Sequence, residues 1–260
     1  MAFAHINGID LYHEVHGLPI GEAPVIVFAH GAGGNHLSWW QQVAHFRHAN
    51  TCVTFDHRCF GHSRDAVDGP GGAAYVDDLV GLLDHLRIQQ ADLVAQSMGG
   101  WTCLGTALRH PGRVRRLVMS DTHGGLRGPG IDWRAATAGA APVPPGVHRA
   151  VGARCGEEQP ELTFLYNQIS AMNIHLGGDE HLAAIIRGAG SPTVDDLAGF
   201  AIPTLFVIGE EDIVIPPAVV EAAAKLVPGA NVAHVPKSGH SVYFERAVEY
   251  NAIVEAFLRE

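Results

Sequence analysis

The chain has 260 residues, 47% of them hydrophobic and 17% charged, and a formal net charge of −10. No apolar run approaches the roughly 20 residues needed to cross a bilayer, so the composition excludes a spanning segment and fits one large globular domain. The acidic balance argues against nucleic acid and anionic membrane as partners, since both demand clustered Lys and Arg; a small neutral substrate suits it better.

Residues 1–11 lack a basic leader and a continuous apolar core, and Asn7-Gly8 sits where a hairpin turn would fall, so this start reads as folded structure and not as a signal peptide. Downstream, residues 25–29, 51–55, 91–94, 116–119 and 204–208 are short apolar runs rich in β-branched residues and bounded by turn signals, the pattern of buried parallel strands. A further short strand is expected at 230–235. Helix-like spacing occupies 75–87, 101–109, 218–227 and 247–258, and this alternation predicts an α/β chain with a mostly parallel, doubly wound sheet. From residue 122 to 195 the pattern changes. Gly124-Gly125, Gly128-Pro129-Gly130 and Pro142-Val143-Pro144-Pro145 punctuate it before helical stretches at 161–172 and 180–186. Trp133, Phe164, Leu165, Tyr166, Met172 and Ile174 make the segment too apolar for a solvated loop, and we read it as a helical lid (122–195) inserted into a core of residues 1–121 and 196–260. Cys52, Cys59, Cys103 and Cys155 show neither metal nor disulfide-framework spacing, as expected of reduced thiols in the cytoplasm.

The most informative stretch is Ala95-Gln96-Ser97-Met98-Gly99-Gly100. A serine on a tight turn between a strand and a helix projects its hydroxyl outward, and only small residues two positions before and after it avoid a clash; Ala95 and Gly99 meet that demand. The Met98 amide then lies at a helix N-terminus, where developing negative charge is stabilised. A serine hydroxyl is a poor nucleophile at neutral pH and needs a base with a carboxylate to orient it. His240, in the loop Pro236-Lys237-Ser238-Gly239-His240-Ser241, is the candidate base. Asp212, just past the strand at 204–208, is the candidate acid, with Glu210, Glu211 and Asp121 as alternatives. The order serine, acid, histidine differs from that of the chymotrypsin and subtilisin types.

With these residues in place, the chain resembles the α/β-hydrolase superfamily over nearly its whole length. Phe28-Ala29-His30-Gly31-Ala32-Gly33-Gly34 is similar to the family's His-Gly oxyanion loop, and Asp56-His57-Arg58-Cys59-Phe60-Gly61-His62-Ser63 to its Asp-x-Arg-Gly-x-Gly-x-Ser segment. The resemblance implies an oxyanion hole made by the backbone amides of Ala32 and Met98, each worth about 3 kcal/mol to the barrier, with His30 and Gly31 supporting that loop. Cys59 departs from the family by replacing a Gly. The activity implied is cofactor-free hydrolysis of a carboxylic ester or lactone. Carbon–carbon hydrolysis of ring-fission products is the nearest enzyme alternative, and a ligand sensor on the same fold is the alternative from another class.

Trp39, Trp101, Trp133, Phe164, Tyr166 and Met172 are candidate contacts for a hydrophobic substrate, although aromatic residues at helix starts more often pack in a core. The 17 histidines include pairs such as His45 with His48 and His57 with His62, but none has accompanying ligands at zinc-like spacing, and no metal is expected. The chain is expected to act as a monomer or homodimer.

Overall fold

The computed structural model describes residues 2–66, 68–132, 144–173, 185 and 188–260. An eight-stranded sheet runs in the order β1-β2-β4-β3-β5-β6-β7-β8. It opens with the hairpin β1 (Ala2–Ile6) and β2 (Ile9–Gly17), closed by Asn7 and Gly8 at φ 47° and 80°. Two consecutive left-handed residues are what a two-residue hairpin turn requires, and Asn-Gly is the pair that adopts them at least cost. β2 is antiparallel to β4 (Thr51–Phe55). From there β4, β3 (Val25–Ala29), β5 (Ala91–Gln96), β6 (Val114–Ser120), β7 (Thr204–Gly209) and β8 (Asn231–Val235) pair in parallel.

Strand periodicity divides the core into two layers. Val25, Val27, Ala29, Leu93, Ala95, Phe206 and Ile208 face one cluster, and the residues between them, Ile26, Phe28, Val94, Leu205 and Val207, face the other. Helices α2 (Tyr75–His85), α3 (Gly99–Arg109) and α6 (Pro217–Leu226) cover the first face with Leu79, Leu82, Cys103, Ala107 and Val220. The second is covered by α1 (Trp40–Phe46), the short α7 (Val242–Glu245) and α8 (Ala247–Arg259), through Phe46, Phe244, Tyr250, Val254 and Phe257. Both faces of a parallel sheet must be buried, which is why these strands read as continuous apolar runs. Among the described residues no helix is long and apolar enough to cross a membrane.

Between β6 and β7 the chain makes the long excursion expected from its change of pattern. Its described part contains α4 (Ala153–Glu158) and α5 (Pro160–Ala171). The two ends are pinned together where Arg127 bridges Thr193 and its amide donates to the Pro192 carbonyl at 2.8 Å. Trp133, Ile174 and nearly all of the helix expected at 180–186 lie outside the described residues.

The Asp-x-Arg segment has a structural purpose of its own. Arg58 is buried, and its guanidinium donates through Nε and Nη2 to both oxygens of Asp78 and through Nη1 to Asp65, each at 2.8 Å, and through Nη2 to the Asn7 carbonyl at 3.0 Å. One side chain therefore ties the hairpin, the loop after β4 and α2 together. Removing the cation leaves two buried carboxylates uncompensated, so Arg58→Met should cost about 3–5 kcal/mol, read as a lowered urea midpoint; a loss below about 1 kcal/mol would remove this role.

Candidate active site

Ser97, Asp212 and His240 follow the C-terminal ends of β5, β7 and β8, the edge of a parallel sheet where ligands collect. Ser97 has φ 48° and its amide donates to the Ser120 carbonyl at 3.0 Å. The left-handed turn is forced because α3 starts almost in contact with β3. A Cβ on Gly99 would overlap the Ala29 carbonyl oxygen, and one on Gly100 would press on the Thr122 side chain. His240 Nε2 lies 2.8 Å from Ser97 Oγ and its Nδ1 lies 2.8 Å from Asp212 Oδ2. Asp212 Oδ1 accepts the amides of Val214 at 2.7 Å and Ile215 at 3.0 Å. A carboxylate so held is an acceptor only, so it accepts a hydrogen bond from Nδ1–H and leaves the Nε2 lone pair facing the serine hydroxyl.

The alternative acids are engaged elsewhere. Glu211 forms a bidentate pair with Arg154, and Glu210 is exposed. Asp121 is fully buried, with Oδ1 accepting the Gly209 amide at 2.8 Å and Oδ2 the Val242 amide at 3.1 Å, so it fastens the end of β7 to the start of α7. Burial, then the neighbouring Asp212 charge, push the Asp121 carboxyl well above its ordinary range.

Two supports of the histidine carried no motif signal. Gln96 donates through Nε2 to the His240 carbonyl at 2.7 Å. Buried Glu245 accepts the amides on either side of His240, from Gly239 at 2.9 Å and Ser241 at 3.2 Å. The spacing from His240 to Glu245 is that of a loop closing on the first turn of a helix, and it is the one signal in the sequence that points to Glu245.

The loop after β3 forms a turn closed by the Gly34 amide on the Gly31 carbonyl at 3.0 Å, with Ala32 and Gly33 at its centre. Buried His30 donates from Nδ1 to the same Gly31 carbonyl at 2.8 Å and accepts the His57 amide on Nε2 at 3.0 Å. Because a trans peptide points its C=O and N–H in opposite directions, fixing the Gly31 carbonyl also fixes the direction of the Ala32 N–H. Gly31 itself must lack a Cβ, which would collide with the Gln96 side chain and stand 3.0 Å from Ser97 Cβ. Among the described residues neither the Ala32 nor the Met98 amide donates to a protein acceptor.

Of the apolar candidates, Tyr166 reaches the site. Its ring packs edge-on against Phe244 at 5.1 Å, and its hydroxyl lies 3.5 Å from Ser241 Oγ. It is joined by His148, whose ring centre is 5.0 Å from that of Tyr166 and whose Cε1 lies 3.1 Å from where a Gly33 Cβ would stand. Trp39 does not line the site, because it is fully buried between Phe28 at 5.2 Å and Tyr243 at 4.3 Å. Phe164 is 65% exposed. On α5 the inward stripe is Thr163, Tyr166 and Ile169, and Phe164 lies about 160° round the helix from Tyr166 at its centre. Trp101 is half-buried, packed edge-on against His123 at 4.8 Å, and Met172 is half-buried at the end of α5. Cys59 adopts φ 75°, its amide closing a turn on the Ser63 carbonyl at 2.9 Å, and burial pushes its thiol up to about 12.

Burial lowers His30 to about 4, and its two hydrogen bonds fit the neutral Nδ1–H form. Nitrogen-15 NMR should therefore show the Nδ1–H tautomer from pH 8 down to pH 5; a midpoint near the ordinary value of about 6.5 would contradict it. Gly99→Ala, which on helix propensity alone would stabilise by up to about 1 kcal/mol, should instead destabilise. An unchanged or raised melting temperature would show that α3 can shift away from β3.

The comparisons with known proteins match this architecture. A family model for the alpha/beta hydrolase fold matches residues 24–247. The chain is 30% identical to RutD, a protein of Caulobacter sp. (strain K31) named for carbamate hydrolysis, across 95% of both chains. It is 32% identical to a 2-hydroxymuconate semialdehyde hydrolase of Pseudomonas putida, across 92% of this chain and 89% of the relative. The crystal structure of the enol-lactonase from Burkholderia xenovorans LB400 superposes with a TM-score of 0.81 at 25% identity, covering 99% of this chain and 100% of the other. With an eight-stranded, mostly parallel sheet flanked by helices and a family match across most of its length, the chain belongs to the α/β-hydrolases.

Proposed function

We infer that this α/β-hydrolase is a serine hydrolase that cleaves a small carboxylic ester or lactone through an acyl-enzyme on Ser97. The observation that carries this reading is the continuous hydrogen-bonded line from Ser97 Oγ through His240 to Asp212, both links at 2.8 Å. His240 Nε2 takes the hydroxyl proton as Oγ bonds to the substrate carbonyl carbon, and the carbonyl electrons move onto its oxygen. That oxygen is received by the Ala32 and Met98 amides, the second at the N-terminus of α3. Collapse of the tetrahedral species expels the alkoxide, which takes the proton from His240. Water then repeats the sequence on the acyl-enzyme, with His240 again as base, and releases the acid. Asp212 holds the imidazole tautomer and stabilises the imidazolium formed in each half. The excursion between β6 and β7 acts as the lid, presenting Tyr166 and His148 over the Gly31–Gly34 turn and excluding water.

The likeness to an enol-lactonase along the whole chain supports a lactone or ester. A second reading, cleavage of a carbon–carbon bond in a ring-fission product, is favoured by the 2-hydroxymuconate semialdehyde hydrolase relative.

Ser97→Ala should lower hydrolysis of a short-chain aryl ester at least ~1,000-fold, and Asp212→Asn should lower it roughly 1,000-fold to 10,000-fold. A fluorophosphonate should add once, to Ser97, as read by peptide mass spectrometry. An adduct with turnover of the ring-fission product alone would favour the second reading. Neither adduct nor a Ser97-dependent rate would remove nucleophilic catalysis and leave ligand sensing as the role of this site.

A further inference from the structure

The turn that aims the Ala32 amide is intrinsically soft. Two adjacent glycines, Gly33 and Gly34, follow Ala32, and glycine gives a backbone the least preference for any one conformation. Its shape must therefore come from bonds made to it. On the sheet side these are His30 and the Gly34 amide, both on the Gly31 carbonyl. On the other side two asparagines link the turn to the end of α5. Asn173, just past the helix and 7% exposed, donates from Nδ2 toward the carbonyls of Gly34 at 3.2 Å and Gly33 at 3.4 Å. Its Oδ1 accepts the Gly61 amide at 2.8 Å, so the side chain is held at both ends. In the opposite direction, fully buried Asn35 donates from Nδ2 to the Ile169 carbonyl in the last turn of α5 at 2.9 Å. Its Oδ1 accepts the Leu37 amide at 3.0 Å, capping the short helix that follows the turn. Each segment thus gives the other a side-chain donor and a backbone acceptor, and last-turn helix carbonyls are the groups most in need of one.

We propose that Asn173 is a positioning residue for the oxyanion hole, and that the Asn173–Asn35 clasp sets the direction of the Ala32 amide according to the seating of α5. This rests on the hydrolase reading above. With the clasp closed, the Gly33 and Gly34 peptides are fixed from both sides and the Ala32 N–H is held toward Ser97. With it open, the diglycine samples other conformations and that donor is lost for part of the time. The amide is needed most where negative charge develops, so the clasp acts on the transition state more than on the bound substrate.

Aspartate substitutions isolate the donor half. Asn173→Asp keeps an acceptor for the Gly61 amide, and Asn35→Asp keeps the cap on Leu37, but each loses its N–H donor and places a carboxylate against a carbonyl. Each should lower kcat for the aryl ester about ten-fold with KM within two-fold. Affinity for an aryl trifluoromethyl ketone, which forms a tetrahedral adduct on the serine, should fall by the same factor as kcat. Asn173→Ser, able to donate again, should recover part of kcat. Melting temperatures measured alongside show whether each variant is folded; if an aspartate variant is not, the serine variant and Asn173→Ala carry the comparison. Unchanged kcat and ketone affinity in folded variants would overturn the proposal, as would a change confined to KM. The Ser97→Ala control separates this from failure of the hydrolase reading: without Ser97-dependent turnover in the wild type, that reading falls and takes the clasp's proposed role with it.

Discussion

The close approach of the first turn of α3 to the end of β3 is the constraint on which the rest of the site depends. At Gly99 a single Cβ would overlap the Ala29 carbonyl, so no larger residue fits without moving the helix. The same approach leaves Ser97 in the left-handed region at φ 48°, a conformation that costs of order 1 kcal/mol and persists because the surroundings over-determine it. In return the hydroxyl stands clear of the sheet beside His240. The Met98 amide opens the helix, and the turn after β3 lies so close that a Cβ on Gly31 would meet Gln96 and Ser97. The outward-facing serine, the helix terminus and the facing turn are consequences of one packing contact.

Electrostatics then separates the roles of the buried carboxylates around the histidine. Asp212, Asp121 and Glu245 are all buried around the His240 loop. Burial raises both Asp121 and Glu245, and the charge on Asp212 raises them further. Each of these two spends its oxygens on backbone amides that fasten the loop. Asp212 is the one carboxylate of the three with an oxygen on the imidazole. On the facing side, buried His30 and His57 are held neutral by burial, which outweighs the opposing pull of the Asp56 charge on His30, and both serve as rigid hydrogen-bonding parts.

Much of the fold was legible because it follows from local periodicity. The runs at 25–29 and 51–55 coincide with β3 and β4 residue for residue, and the other parallel strands were found with ends short by one to two residues. The strand expected at 230–235 instead starts one residue before β8; strand ends are where pairing partners decide how far a strand continues, which one segment alone does not encode. Ser97 stood out because the small residues around it meet a steric demand, and Asp212 and His240 because each lies in a loop just past a short strand. Trp39 and Phe164 misled for a common cause: an aromatic residue announces that it can be buried, not against what. Trp39 is consumed by the core between Phe28 and Tyr243, and Phe164 falls on the outer side of α5.

By itself the sequence determined the α/β class, the positions of the parallel strands and of five of the helices, and the residue types available at the ends of β5, β7 and β8, because these depend on hydrophobic period and local sterics. Which carboxylate faces the histidine, the clamp formed by Glu245, and the clasp between Asn35 and Asn173 were decided only in three dimensions. Asn35 reaches a carbonyl 134 residues away and Asn173 one 139 residues away. An amide side chain carries no periodic or motif signal for such a partner. Its role is set by where the finished sheet and the excursion after β6 bring two stretches of backbone together.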